Sequence, residues 1–297
     1  TPDDPHSPQV LGLKKVLWQG AELYREAARD PDLVERFGPG TPDDWMERRV
    51  YSRHNFIGVT LLFFVQAILF GLPGIALWAV QMIWIPFWAA GVINGVAHYW
   101  GYRNFDAPDA STNISPVGLL LGGEELHNTH HAFPSSAKLS AKPWELDIGW
   151  AYIRTLSALG LARVKKVAPR PALVEEKDAV DMDTLRAVIQ NRMHVLASYA
   201  RDVMLPVSRH ELCGADASCR RLYRQTRRLL LSGERLMDAA TRERLARVLE
   251  QNQRLHTVYQ YRQRLQEVWE RRASSQENLL QALQDWCRQA ESTGINA

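Results

Sequence analysis

The chain has 297 residues, enough for one large domain or two ordinary ones, and its 46% of hydrophobic residues excludes a wholly disordered chain. Its 18 Gly and 15 Pro are near the usual frequencies, which excludes collagen-like and low-complexity sequences. The net charge of +3, from 36 basic and 33 acidic residues, gives no global field of the kind that marks a nucleic-acid-binding protein.

An uncharged run separates Arg53 from Arg103, although 23% of the chain is Asp, Glu, Lys or Arg. A helix needs about 20 apolar residues to cross a bilayer, so this run is long enough for two crossings. The Gly71-Leu72-Pro73-Gly74 sequence divides residues 56–70 from residues 75–100, and Gly and Pro are the residues that end helices and reverse a chain. We therefore predict a transmembrane helical hairpin over about residues 56–100.

The charges beside the hairpin predict its orientation. Basic residues flank it on both sides: Arg48, Arg49, Arg53, Arg103, Lys138 and Lys142. Basic residues are enriched on the cytoplasmic side of membrane helices, so both flanks of the hairpin are expected to be cytoplasmic. A hairpin buried in a large soluble core is the alternative interpretation, and the tryptophans of the run fit either one.

The rest of the chain predicts two further helical parts. Residues 104–168 mix Gly, Pro, Asn and His with apolar stretches, which indicates a cytoplasmic cap of loops and short helices, and Pro169-Arg170-Pro171 then marks a boundary. From residue 183 onward, apolar residues recur at spacings of three, four and seven, which predicts a helical C-terminal extension over residues 183–297. The predicted fold class is mainly α, with the membrane hairpin, its histidine-rich cap and this extension.

Five polar residues near the end of the hairpin suggest metal chemistry. Asn94 and His98 are four residues apart, so they share one face if the segment is helical. His127, His130 and His131 are related by spacings of three and four, which places three imidazoles on one side of a helix.

Neutral imidazole is a ligand for zinc, copper, iron and nickel. Glu124 and Glu125, just before the histidines, are candidates to orient the rings by hydrogen bonding. A single His98 would be an ordinary core histidine more often than a ligand, but three histidines within five residues favour a metal site.

These motifs resemble those of the membrane fatty acyl desaturases of the acyl-CoA delta-9 type. The string His127-Asn128-Thr129-His130-His131 matches the family's last histidine box, His-Asn-x-His-His, and Asn94 with His98 matches an upstream Asn-x-x-x-His. The resemblance covers about residues 1–168, which it identifies as the C-terminal portion of a desaturase domain. It implies that His98, His127, His130 and His131 are iron ligands and that Asn94 holds an iron-bound water.

The resemblance also implies a function. A di-iron centre at the cytoplasmic membrane surface would use oxygen to insert a cis double bond into a fatty acyl chain, carried on CoA or on a lipid. The implied partners are that acyl substrate, membrane lipid and an electron-transfer protein, because the sequence has no dinucleotide-binding glycine motif or iron–sulfur cysteine spacing. The family's first two histidine boxes would precede Asp4-Pro5-His6 and are not in this chain. We therefore expect an incomplete di-iron site and an inactive fragment.

Two other interpretations stay open. Membrane di-iron hydroxylases of alkanes or lipids use similar histidine boxes, although the spelling of the motifs favours a desaturase. Alternatively, the chain is a non-catalytic, membrane-anchored helical interaction protein. Residues 279–291 resemble the ends of some insertion-sequence transposases, but the sequence offers no convincing acidic triad for DNA cleavage, so we predict no nucleic-acid partner.

Overall fold

A computed structural model describes residues 4, 6–37, 40, 43–54, 56–172, 174, 177, 179–213, 220–231, 237–270 and 275–295. The fold is mainly helical, as predicted, and it divides into two compact units. Unit 1 comprises Thr1–Tyr102 and Thr112–His127, and unit 2 comprises Arg103–Ser111 and Asn128–Ala297.

Unit 1 is built around two apolar helices. Its elements in chain order are α1 (Pro8–Leu11), α2 (Leu13–Ala27), α3 (Pro31–Phe37), a π-helical turn (Glu47–Tyr51), α4 (Ile57–Phe70), α5 (Leu72–Pro86), a second π-helical turn (Phe87–Ile93), a 3-10 turn (Val96–His98), strand β1 (Val117–Gly118) and a 3-10 turn (Glu124–Leu126). Helices α4 and α5 are separated by Gly71 alone, which has a φ of +63°. Leu72, Pro73 and Gly74 belong to the first turn of α5, where proline is tolerated because no helical donor is needed.

Helices α4 and α5 fold back on each other and approach closely at Gly74. A Cβ atom added there would collide with the main-chain carbonyl of Gln66 and lie 3.1 Å from Cβ of Phe70. The Gln66 side chain also donates from Nε2 to Oε1 of Gln81 over 3.0 Å, and Nε1 of Trp78 donates to the carbonyl of Val59 over 3.1 Å. Small residues and polar pairs of this kind are what bring two apolar helices together in a lipid environment.

Only one candidate membrane span is found among the described residues. The continuous helical segment Leu72–His98 has 27 residues and a mean hydropathy of 1.6, and 11% of its most apolar window is buried. Helix α4 has 14 residues, which at about 1.5 Å per residue is shorter than the hydrocarbon core of a bilayer. Two crossings were predicted. The structure has one helix long enough to cross a membrane and a shorter apolar helix packed against it.

The long helical segment changes its winding before His98. Pro86 lacks a backbone donor, and the chain passes from α5 into the π-helical turn and then into the 3-10 turn that ends at His98. Helix α2 packs against the π-helical turn, and a Cβ on Gly20 would lie 2.7 Å from the carbonyl oxygen of Ala90. The polar N-terminal region therefore supports the part of the helix that carries Asn94 and His98.

Unit 2 contains the remaining helices. In chain order they are α6 (His127–Ala132, whose first residue closes unit 1), strand β2 (Leu146–Asp147), α7 (Ile148–Ala158), α8 (Met182–Gln190), α9 (Arg192–Tyr199), a π-helical turn (Ala200–Met204), α10 (Leu205–Cys213), α11 (Arg220–Leu231), α12 (Ala239–Glu250), α13 (Gln253–Glu270) and α14 (Gln276–Ser292). The core helix α13 buries Leu255, Val258 and Leu265. Two half-buried side chains donate to its backbone: Tyr199 to the carbonyl of Val258 over 2.9 Å, and Trp286 to that of Tyr261 over 2.8 Å.

Candidate metal centre

The short helix α6 carries the predicted histidine box. It follows a tight reversal in which Gly122 and Gly123 have φ values of +69° and +104°, a conformation that favours glycine. A 3-10 turn over Glu124–Leu126 then leads directly into α6. Residues 127 and 131 are one helical turn apart, so His127 and His131 project from the same side of α6.

In unit 1, His98 and His127 meet through their ring nitrogens. Their Nε2 atoms lie 3.0 Å apart, and the ring planes are inclined by 83°. Two nitrogens that each bind one ion at about 2.1 Å, at roughly a right angle, are separated by about this distance. The pair therefore has the spacing of two ligands to one ion.

Glu124 holds the other nitrogen of the His127 ring. Oε2 of Glu124 lies 3.3 Å from Nδ1 of His127, and only 5% of His127 is exposed. A carboxylate accepts a hydrogen bond and cannot donate one when ionised, so the contact favours a proton on Nδ1. Nε2 then keeps its lone pair for a metal.

In unit 2, Asp109 forms a hydrogen bond with the Nδ1 nitrogen of His131, as Glu124 does with that of His127. Oδ2 of Asp109 lies 2.5 Å from Nδ1 of His131. Burial acts to raise the pKa of Asp109, but the hydrogen bonds from His131 and Ser111 outweigh it, so the pKa lies well below its ordinary value. Asp109 is therefore ionised at neutral pH and holds the proton of His131 on Nδ1.

The sequence did not identify Asp109, because it lies 22 residues before His131 and belongs to no helical repeat. It also did not identify the role of Asn128, which is inside the histidine box and fully buried. The Asn128 Oδ1 atom accepts from the main-chain N–H groups of Asn104 and Phe105, and its Nδ2 donates to the carbonyl of Phe105 over 3.0 Å. Asn128 thereby ties α6 to the loop that contains Asp109.

The remaining predicted site residues have different surroundings. Glu125 is buried and its Oε1 accepts from the main-chain N–H groups of Leu120 and Leu121, so it shapes the turn before α6. Asn94 is half-buried at the end of the π-helical turn, four residues before His98. The ring of His130 is packed against that of His131 with a centroid separation of 5.6 Å.

Two family models match different parts of the chain. The model described as fatty acid desaturase matches residues 8–164, which is more than half of the chain. The model described as transposase matches residues 183–297. No solved structure matches the chain.

Several curated desaturases are similar to part of the chain. The icosanoyl-CoA 5-desaturase of Limnanthes douglasii is 38% identical over 115 residues, which are 39% of this chain and 31% of that protein. The sn-1 stearoyl-lipid 9-desaturase of Anabaena variabilis is 34% identical over 136 residues, which are 44% of this chain and 50% of that protein. An acyl-CoA 5-desaturase of Anemone leveillei is 35% identical over 169 residues, 55% of this chain and 50% of that protein. The chain thus spans half or less of the length of these relatives.

Proposed function

Because the chain belongs to the fatty acid desaturase family, we propose that residues 8–164 form part of a di-iron acyl desaturase of the delta-9 type that inserts a cis double bond into a fatty acyl chain. The observation that carries this proposal is the 3.0 Å approach of the Nε2 atoms of His98 and His127. The similarity to lipid-linked and CoA-linked desaturases supports a fatty acyl substrate and an oxidoreductase.

The donor set fits iron. Neutral imidazole nitrogens suit iron as well as zinc, but zinc has no redox chemistry and cannot serve an oxidation. When bound, a pair of irons would supply the oxygen-dependent oxidation that removes two hydrogens from an unactivated chain. With two electrons and two protons from outside, the oxygen molecule leaves as two waters, so the proposal includes an external electron-transfer protein.

The residues of this chain have three tasks in the proposal. His98, His127, His130 and His131 present their nitrogens as ligands, and Asn94 holds a metal-bound water. Glu124 and Asp109 keep the protons of two rings on Nδ1, which leaves the Nε2 atoms available. Four imidazoles are too few for two irons that each take several ligands. The chain by itself is therefore predicted to be inactive.

The apolar helices provide the membrane setting. Large apolar side chains on α4 and α5 are exposed, among them Ile68 and Leu72 at 80% and Ile83 at 74%, which a lipid environment would cover. We place α4 and α5 in the membrane as a hairpin that enters and leaves on the same side, with both flanks in the cytoplasm, because basic residues precede and follow the pair. A membrane-impermeant thiol reagent applied to intact cells should fail to label cysteines introduced at Ser52 and Ser136 until the membrane is opened.

A chimaeric enzyme tests the reaction. Residues 8–164 replace the matching segment of the Anabaena variabilis sn-1 stearoyl-lipid 9-desaturase, and the chimaera is expressed in a host without desaturase activity. We expect monounsaturated fatty acids from the chimaera, none after His127→Ala, and an unchanged yield after His54→Ala, which alters an exposed histidine outside the site. A chimaera present in the membrane that yields no desaturated product, or an oxygenated one, would contradict the proposal.

Residues 183–297 are proposed to be a helical C-terminal extension without a nucleic-acid partner. Their similarity to a transposase family model makes DNA binding the alternative to test. The purified full chain should leave the electrophoretic mobility of double-stranded DNA unchanged at physiological salt. A retarded band that disappears at high salt would reject this part of the proposal, since phosphate contacts are salt-dependent.

A further inference from the structure

In unit 2, the guanidinium group of Arg103 donates hydrogen bonds to the main chain of the loop that it begins, Arg103–Ser111. Nη1 of Arg103 donates to the carbonyl of Asp109 over 2.8 Å and to that of Ser111 over 3.0 Å, and Nη2 donates to the carbonyl of Ala107 over 2.8 Å. The main-chain N–H of Ser111 donates to Oδ1 of Asp109 over 2.9 Å. These bonds fix the backbone from which Asp109 reaches His131.

Helix α13 contacts this loop through a buried ion pair. Nη2 of Arg262 donates to Oδ2 of Asp106, and Nε2 of Gln266 donates to the same oxygen over 3.2 Å. The Arg262 side chain is 4% exposed and that of Asp106 is 13% exposed. Nη2 of Arg103 lies 3.8 Å from Oδ1 of Asp106, so the carboxylate lies between two guanidinium groups.

A largely buried carboxylate between two guanidinium groups restricts the position of the loop. The charge-assisted hydrogen bond from Arg262 is stronger than a neutral one, and Gln266 adds a second hydrogen bond to the same oxygen. Removal of one partner leaves the other charge buried without compensation, so the loop would have to rearrange. Asp106 and Asp109 are three residues apart in this loop, and a shift at the first moves the second.

We infer that α13 sets the position of Asp109, and through it the orientation of the His131 ring, by holding Asp106 with Arg262 and Gln266. Arg262, Gln266 and Asp106 are thus positioning residues for a metal ligand. The C-terminal extension then contributes to the position of His131 through the helix that carries Arg262. The inference rests on the proposed function only in taking His131 as a ligand.

The first measurement needs neither metal nor activity. The metal-free full chain in detergent is treated with diethylpyrocarbonate, and the modification rate of each histidine is followed by peptide mass spectrometry. In Arg262→Met, the rate at His131 should rise about threefold to tenfold, because neighbours in one hydrogen-bond network are coupled to about that extent. The rate at His210, which is exposed on α10, should stay the same.

Matched variants separate positioning from folding. Arg264→Met removes an exposed arginine two residues away on the same helix and should leave the rate at His131 unchanged. Arg262→Lys keeps the charge and should restore part of the protection. If Arg262→Met unfolds the chain, all histidines react faster. Gln266→Met then tests the inference, because it removes one hydrogen bond to Asp106 and leaves the ion pair of Arg262 and Asp106 intact; the rate at His131 alone should rise.

The second measurement is Co²⁺ binding, followed by its visible absorption in the same samples. Arg262→Met should weaken binding by up to about tenfold, the lower end of the loss expected when the partner of a metal-bound histidine is disturbed. Equal rates at His131 in Arg262→Met, Gln266→Met and Arg264→Met would overturn the inference. A faster rate at His131 in a chain that binds no Co²⁺ would support the inference and overturn the proposed metal site.

Discussion

The Nε2 atoms of His98 and His127 lie 3.0 Å apart, with His127 almost fully buried. Two neutral rings hold this arrangement without metal only if one Nε2 carries a proton and donates to the other. Because Glu124 favours the proton on Nδ1 of His127, the His98 ring is the donor in the metal-free state. Binding of one ion to both rings would require the proton of His98 to move to its Nδ1, which leaves both Nε2 lone pairs for the ion.

Metal binding should therefore depend on both histidines. His98→Ala and His127→Ala are each expected to abolish tight Co²⁺ binding, since the loss of either removes one of the two paired ligands. Titration of the detergent-purified chain, read by visible absorption, measures this. The matched change His54→Ala should bind Co²⁺ like the unmodified chain. Retained affinity in His127→Ala would mean that the ion binds elsewhere.

Asp109→Asn should weaken metal binding without removing a ligand. The amide cannot supply the negative charge that holds the Nδ1 proton of His131, and loss of such partners typically costs about 10–100-fold in affinity. Isothermal titration with Co²⁺ gives the ratio of affinities. Asp43→Asn, an exposed aspartate outside the site, is the control. Equal affinities for the two variants would show that Asp109 has no influence on the ligand.

Gly74→Ala should destabilise the packing of α4 on α5. The added methyl group meets the carbonyl of Gln66, and overpacking of this kind costs about 1–3 kcal/mol, against a gain of about 1 kcal/mol from better helix propensity. Thermal unfolding in detergent should show a lower midpoint. Gly58→Ala, on α4, has nothing within 4 Å of the added atom and should keep or raise the midpoint. A midpoint that falls equally in both variants would show that close packing of α4 on α5 at Gly74 is not the cause.

The stability of unit 2 should fall as the pH decreases. The ring of His194 is stacked on Phe133 at 5.3 Å and its Nε2 is buried without a hydrogen-bond partner. Burial lowers the pKa of His194, and the nearby Lys142 acts in the same direction, while a hydrogen bond with the backbone of Pro169 opposes them. The unfolded chain therefore binds the proton more readily, so stability is lost as the pH falls through the unfolded pKa of about 6.5.

The comparison of unfolding midpoints at about pH 7.5 and about pH 5.5 checks this expectation. His194→Phe preserves the aromatic stack and removes the titrating group, so the difference between the two midpoints should shrink. His210→Phe changes an exposed histidine and should leave the difference as it was. An undiminished difference in His194→Phe would assign the pH dependence to other groups.

Local spacing was enough to predict the helical fold and the histidine group, because both depend on short repeats along the chain. His127, His130 and His131 are close in any helix. The limits of the hairpin turn were less accurate, because Pro73 and Gly74 fit into the first turn of α5 as well as into a loop. Asp109 and Arg262 could not be predicted, since their partners lie 22 and 156 residues away and only the folded chain brings them together.

The change of winding between Pro86 and His98 sets the direction in which the His98 side chain leaves the helix. Each residue of an α-helix turns the following side chain by about 100°, whereas a π-helical turn takes in an extra residue with less rotation. If all seven residues Phe87–Ile93 took up regular α-helical winding, the chain would turn further around the helix axis and swing His98 away from His127, although no ligand had been altered. The direction of the His98 side chain is thus encoded in the winding of apolar residues that precede it in the helix.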